Sequence, residues 1–178
     1  MKVINFFAGP GCGKSTTAAG LFHYMKVRSF QVELVTEYAK DLVWSERTLM
    51  LTEQDYIFAK QNHRLRRLRG KVDWVITDSP IILGHFYMPE DFPGKEHFCN
   101  FVNSMFNSYD NINILLTRVK KYDPVGRNQT EEEAKALDLA VKTFLDENEI
   151  PFFTVDADEN APKKVLDFIF DGNGQLSP

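Results

Sequence analysis

The chain has 178 residues, enough for one domain with a substantial core. Hydrophobic residues at 43% and charged residues at 26% exclude a disordered chain, and no apolar run approaches the roughly 18–20 residues that span a bilayer, so no membrane role is expected. A formal net charge of −4 excludes coating of nucleic acid through the overall field, and MKVINFFAG runs straight into a glycine-rich loop, so no cleavable leader is expected.

Lys2 to Ala8 is short, apolar and β-prone and ends at glycines, the pattern of a buried strand feeding a phosphate loop. Ser15 to Val27 reads as a helix turning Leu21, Phe22 and Met25 toward a sheet, and Gln31 to Thr36 as a second strand. Glu37 to Trp44 resembles a short helix. A long amphipathic helix follows from about Thr52 to Leu68, stopped by Gly70. Val72 to Thr77 is a third strand, ending on Asp78, and Ser79 to Lys95, with three prolines and two glycines, reads as a loop or mobile insertion. Glu96 to Ser108 is helical and Ile112 to Thr117 a fourth, almost wholly apolar strand. Lys120 to Gln129 is a polar, basic connection. Thr130 opens a helix to about Glu147, with Glu133 completing a capping box. Pro151 to Val155 is a fifth strand, Pro162 to Phe170 a closing helix, and residues 172–178 a flexible tail. Alternating helices and near-continuous apolar strands imply one α/β domain over residues 1–171, with a five-stranded parallel sheet covered by helices on both faces.

Ala8 to Thr16, AGPGCGKST, keeps Gly13, Lys14 and Ser15 of the Gly-x4-Gly-Lys-Ser/Thr pattern, with alanine in the first position. Glycines 9, 11 and 13 let backbone N–H groups turn inward onto phosphate oxygens, and the following helix presents its positive end. Gly9, Pro10, Gly11, Cys12, Gly13, Lys14, Ser15 and Thr16 are therefore the expected ATP-phosphate ligands. Lys14 reaches the β- and γ-phosphates and Ser15 coordinates Mg²⁺. Cys12 and Cys99 read as reduced thiols of a cytoplasmic protein.

Glu37 and Asp78 end the second and third strands, at the sheet edge where parallel α/β folds bind ligands. Either could take the proton of an attacking hydroxyl, and Asp78 could instead hold Mg²⁺; the sequence leaves the two roles open. Arg118, ending the fourth strand, and Arg127, in the following connection, could close over the phosphates as charge develops, with Lys120 and Lys121 assisting. Trp44, Tyr38, Tyr56 and Phe58 are aromatics able to stack a base, and Gln61 could read a base edge. Arg64 belongs to the basic run HRLRRLRGK at residues 63–71 and joins the candidate substrate contacts. No Asn-Lys-x-Asp guanine-reading motif is present, and Asp78 lacks the acidic neighbour usual in motor ATPases. The expected reaction is thus phosphoryl transfer to a second substrate; the alternative is an ATPase module coupling hydrolysis to a partner or DNA.

Taken together, GPGCGKST, TEYAKDLVW, ITDSP, the strand ending in Arg118 and EEEAKALDLAVKTFLDENEIPFFTVDAD resemble the P-loop nucleoside-kinase-like proteins, in particular the ribosylnicotinamide-kinase-like AAA ATPase group. The chain is also similar to deoxynucleoside kinases, whose glutamate after the second strand is the base and whose nearby tryptophan lines the substrate pocket; the resemblance assigns these to Glu37 and Trp44. Where those kinases typically have Glu-Pro and Asp/Glu-Arg-Ser, this chain has Glu37-Tyr38 and Asp78-Ser79-Pro80. Related proteins are common in bacteriophages, where one set phosphorylates 5-hydroxymethyluracil within DNA. The resemblance implies a P-loop NTPase/kinase fold and an ATP- and Mg²⁺-dependent kinase acting on a nucleoside-like hydroxyl, free or as a modified base in phage DNA. It would work in the cytoplasm, that of the host if phage-encoded.

Overall fold

The computed structural model describes residues 1–119, 122 and 130–171. Lys120, Lys121, Arg127 and the tail at 172–178 lie outside the described residues.

Strand β1 (Lys2–Phe7) is buried from Val3 onward and leads through the glycine loop into α1 (Lys14–Val27). Next come β2 (Val32–Val35), α2 (Tyr38–Trp44), a 3₁₀ turn (Thr48–Thr52) and α3 (Gln54–Arg66). Then β3 (Trp74–Thr77), a second 3₁₀ turn (Ile81–Phe86), α4 (Lys95–Asn107) and β4 (Asp110–Thr117) follow. The chain closes with α5 (Glu131–Glu147), β5 (Phe153–Asp156) and α6 (Ala161–Asp171). The expected capping box holds: Thr130 accepts from the Glu133 N–H, and the Glu133 carboxylate accepts from the Thr130 N–H.

The five strands are parallel, in the order β2-β3-β1-β4-β5. One apolar layer joins Ile4, Phe6, Ile76 and Ile114 of the sheet to Leu21 and Met25 of α1 and Val165 of α6. The other joins Val3, Phe7 and Leu115 to Phe58 and Leu65 of α3, Phe106 of α4 and Leu145 of α5. Parallel pairing puts the C-terminal ends of β1, β2, β3 and β4 on one edge, with β1 central. The loop at 8–13, Glu37, Asp78 and Arg118 therefore share one rim.

Two elements differ from expectation. The long helix expected from Thr52 begins only at Gln54, because Thr48–Thr52 forms a separate 3₁₀ turn. The expected loop at Ser79 to Lys95 includes the 3₁₀ turn Ile81–Phe86, whose Ile81, Ile82 and Leu83 are buried against α3 and α4. Three consecutive apolar side chains outweigh the flanking prolines, because burying them removes more apolar surface from water than an exposed loop would.

A polar row crosses the middle of the sheet. Asn5 pairs in register with Thr77 on one side and Asn113 on the other, and all three are buried. The Asn5 amide donates to Asn113 at 3.1 Å and to Asn111 at 2.9 Å, while Asn113 donates to the Pro151 carbonyl at 3.0 Å.

Candidate active site

The phosphate loop takes its shape from left-handed glycines, with Gly11 at φ 73° and Gly13 at φ 115°. Gly13 immediately precedes α1, which has no side-chain cap, so its first N–H groups remain available to an anion. Lys14 folds back over the loop and donates from Nζ to the Ala8 carbonyl at 2.7 Å and the Gly9 carbonyl at 3.0 Å. Burial pushes its pKa below the usual lysine range, while Glu37, Cys12 and the carboxylates of Asp78 and Asp138 push it back up. Cys12 is buried with its thiol directed at the Leu116 carbonyl, 3.4 Å away. Burial lifts that thiol to about 11, so it stays protonated and anchors the loop to β4.

Two carboxylates face the loop from neighbouring strands. Asp78 is 3% exposed, and its Oδ1 is buried with no hydrogen-bond partner among the described residues. Glu37 occupies the N-cap position of α2 but makes no side-chain cap there. Burial raises its pKa; Lys14 opposes that shift and Asp78 adds to it. The capping duty falls to Gln61 on α3, whose Oε1 accepts from the Tyr38 N–H at 2.9 Å and whose amide donates to the Thr36 carbonyl at 3.4 Å.

These groups line one cavity of about 430 Å³. Its phosphate end is formed by Gly11, Gly13, Lys14 and Ser15 with Glu37 and Asp78, and its other end by Val43, Trp44, Leu51, Ile57 and Phe58. An apolar chamber carrying a few polar groups and opening on a phosphate cradle suits a flat, partly apolar molecule presented to a triphosphate.

A family model described as an AAA domain matches residues 3–161. The chain belongs to this family. A search of curated proteins finds no match. Among solved structures, deoxyadenosine kinase from M. mycoides with bound dATP is similar at TM-score 0.63 and 20% identity, covering 96% of this chain and 100% of that one. The same enzyme with products dCMP and a flexible dCDP bound gives TM-score 0.59 at 19% identity, with the same coverage. NadR protein in complex with NR gives TM-score 0.73 at 15% identity, covering 99% of this chain and 53% of that one. At these identities the likeness shows the fold.

Within this AAA-domain protein, Pro10, Gly11, Gly13, Lys14, Ser15, Thr16, Glu37, Trp44, Gln61 and Asp78 all line the cavity. Trp44 does so from the rim, 64% exposed. Gly9 and Cys12 belong to the loop but face away, Gly9 toward Asp138 and Cys12 toward Leu116. Gln61 contacts the cavity, and its amide bonds the Thr36 and Tyr38 backbone on either side of Glu37. Arg64 does not line the cavity. It donates to the Thr36 carbonyl at 3.0 Å, pairs with Asp41 and stacks over Tyr38, and so ties α3 to α2. Tyr38 and Tyr56 likewise bond each other at 2.9 Å, outside the cavity lining. Arg118 is clamped on the outer side of the loop by Asp138 at 2.7 Å and the Pro10 carbonyl at 2.8 Å. Arg127 lies outside the described residues.

Sequence reading missed Lys40, Gln54, Tyr87 and Asp138. Lys40 stands three residues past Glu37, one helical turn along the same face, and that spacing was available. Tyr87 follows the unexpected 3₁₀ turn; its hydroxyl is lifted to about 12 by burial and by the Glu37 and Asp138 charges. Asp138 is one acid among many on α5, and no local pattern marks it.

Proposed function

We propose that this chain is an ATP- and Mg²⁺-dependent kinase that transfers the γ-phosphoryl group to a hydroxyl of a free nucleoside-like molecule. The observation that carries this reading is the continuous cavity joining the phosphate loop to an apolar chamber, with Glu37 and Asp78 at the junction.

Loop amides and the N-terminus of α1 bind the phosphates, and Lys14 exchanges its bonds to the Ala8 and Gly9 carbonyls for phosphate oxygens. Mg²⁺ usually keeps several waters and takes one or two carboxylates plus phosphates, which suits the unpartnered Asp78 Oδ1 and the Ser15 hydroxyl. When bound, it would screen the charge that builds on the phosphates in transfer. Holding metal commits the Asp78 carboxylate, leaving Glu37 to take the acceptor's proton. Its raised pKa brings it nearer to working pH, as a general base requires. Trp44 and Phe58 sandwich or edge the flat part of the acceptor, and the chamber walls exclude the water that would compete with the acceptor hydroxyl.

The charge distribution supports a free acceptor over a base within DNA. Gln54, Ile57, Phe58 and Gln61 of α3 line the cavity; of the basic run, Arg64 bonds Thr36 and Asp41 beside it, whereas Arg66, Arg67 and Arg69 lie farther along the chain. There Arg69 donates to Ser108 at 2.8 Å and stacks over Tyr109, just before β4 begins. That is the sheet edge opposite the phosphate loop, which sets this part of the run apart from the cavity.

γ-labelled ATP offered with free nucleosides, nucleotides, ordinary DNA and hydroxymethyluracil-containing DNA tests the reading. Label on a free nucleoside or nucleotide supports it. Label on modified DNA alone would move the acceptor into nucleic acid, and label only in inorganic phosphate would leave a hydrolysis-coupled ATPase in its place.

A further inference from the structure

We propose that Asp138 is a positioning residue of the nucleotide site, fixing the first half of the phosphate loop from α5 and holding Arg118 against it. The inference rests on the loop's nucleotide role and is independent of the acceptor.

Both carboxylate oxygens of Asp138 are used. Oδ1 accepts from the Gly9 N–H at 2.6 Å and Oδ2 from Arg118 Nε at 2.7 Å. Arg118 Nη2 then donates to the Pro10 carbonyl at 2.8 Å, closing a ring through Gly9, Pro10, Arg118 and Asp138. The contact is close enough that a Cβ on Gly9 would lie 2.5 Å from the Ala134 carbonyl oxygen and 2.8 Å from Asp138 Oδ1. Glycine is required there because the backbone of α5 leaves no room for a side chain.

Loop amides bind phosphate only when their peptide planes are correctly turned. Directing the Gly9 N–H toward α5 fixes the Ala8–Gly9 peptide plane, and the Pro10–Gly11 plane is held through the Pro10 carbonyl. A bare carboxylate beside a triphosphate would repel it, and Arg118 offsets that charge. The pair is largely withdrawn from water, with side-chain exposures of 9% for Arg118 and 23% for Asp138, so removing either partner strands the other's charge. Arg118 Nη1 is buried without a hydrogen-bond partner among the described residues.

The test is titration of Mg·ATP into wild type, Asp138→Ala, Asp138→Asn, Arg118→Gln and the Asp138→Asn/Arg118→Gln double variant, with thermal melts alongside. Lys142→Gln, on the exposed side of the same helix, is the control. The amide side chain introduced by Asp138→Asn can still accept from Gly9 but no longer neutralises Arg118, so affinity should fall more in Asp138→Ala than in Asp138→Asn. The expected loss in Asp138→Ala is on the order of ten- to a hundredfold. The double variant should lose less than the product of its two singles, because their shared charge pair is removed together. Folded single variants that bind Mg·ATP within twofold of wild type would overturn the proposal, whatever their melting temperatures. If Asp138→Ala does not fold, unchanged affinity in Asp138→Asn and Arg118→Gln overturns it equally. Wild type that binds ATP but phosphorylates no acceptor would sink the kinase reading and leave this one standing; wild type without ATP affinity would sink both.

Discussion

The side-chain oxygen of Gln61 accepts a 2.9 Å hydrogen bond from the backbone N–H of Tyr38, the residue directly after Glu37. The first N–H groups of a helix lack intrahelical partners; here α3 supplies the acceptor for one of them, and the Glu37 carboxylate makes no cap bond. Replacing Gln61 with alanine should free the α2 start and loosen the placement of Glu37. We expect about 1 kcal/mol of lost stability from the part-buried N–H left without its acceptor. Turnover should fall while ATP affinity holds, which denaturant melts and steady-state kinetics would separate. Unchanged turnover in a folded variant would remove Gln61 from the positioning of Glu37.

Glu37→Gln should abolish transfer and stabilise the free protein. A carboxyl whose folded pKa is raised binds more protons folded than unfolded, so its contribution to stability is full below the ordinary glutamate pKa and is lost as pH rises through the folded value. The gain from Glu37→Gln should therefore appear at neutral pH and shrink in acid. Wild-type kcat/KM should drop as pH falls through the same raised pKa. Paired melts and rate profiles across pH would check both, and a Glu37→Gln enzyme with full activity would exclude Glu37 as the base.

Asp78→Asn removes the charge but keeps the shape of the side chain. The Mg²⁺ concentration needed for half-maximal rate should rise by roughly ten- to a hundredfold, with little change in fold. A Mg²⁺ titration at saturating ATP reads this directly. An unshifted Mg²⁺ requirement with a lost rate would instead make Asp78 the base.

Reversing the charge of Arg66 and Arg67 together should leave transfer to a free acceptor within about twofold of wild type, since solvated charges at the far end of α3 are screened over roughly 8–10 Å. A large, salt-sensitive loss restricted to DNA substrates would show that this face carries nucleic acid.

Much of the fold was legible because strand and helix periodicities are local properties. The capping box at Thr130 and Glu133 and the alternation of apolar strands with helices needed no tertiary information. Strand ends were equally readable, which is why Glu37 and Asp78 could be named before their surroundings were known. Side-chain partners across elements were not. Gln61 and Tyr38 are 23 residues apart, and Gly9 and Asp138 are separated by 129, so no window along the chain connects them. The basic run was legible as charge, but its distance from the phosphate loop depends on the direction of α3.

The asparagine row within the sheet bears on assembly of the rim. A parallel strand can slip by a residue and still bury apolar groups, but it cannot slip without pulling Asn5 away from Asn113 and Thr77. Ala8 stands three residues beyond Asn5, and Asp78 one residue beyond Thr77. The polar row therefore acts as a datum line from which the reactive edge is measured. A neighbouring insertion in β1 or β3 would cost alignment of the phosphate loop with its carboxylates before it cost the sheet.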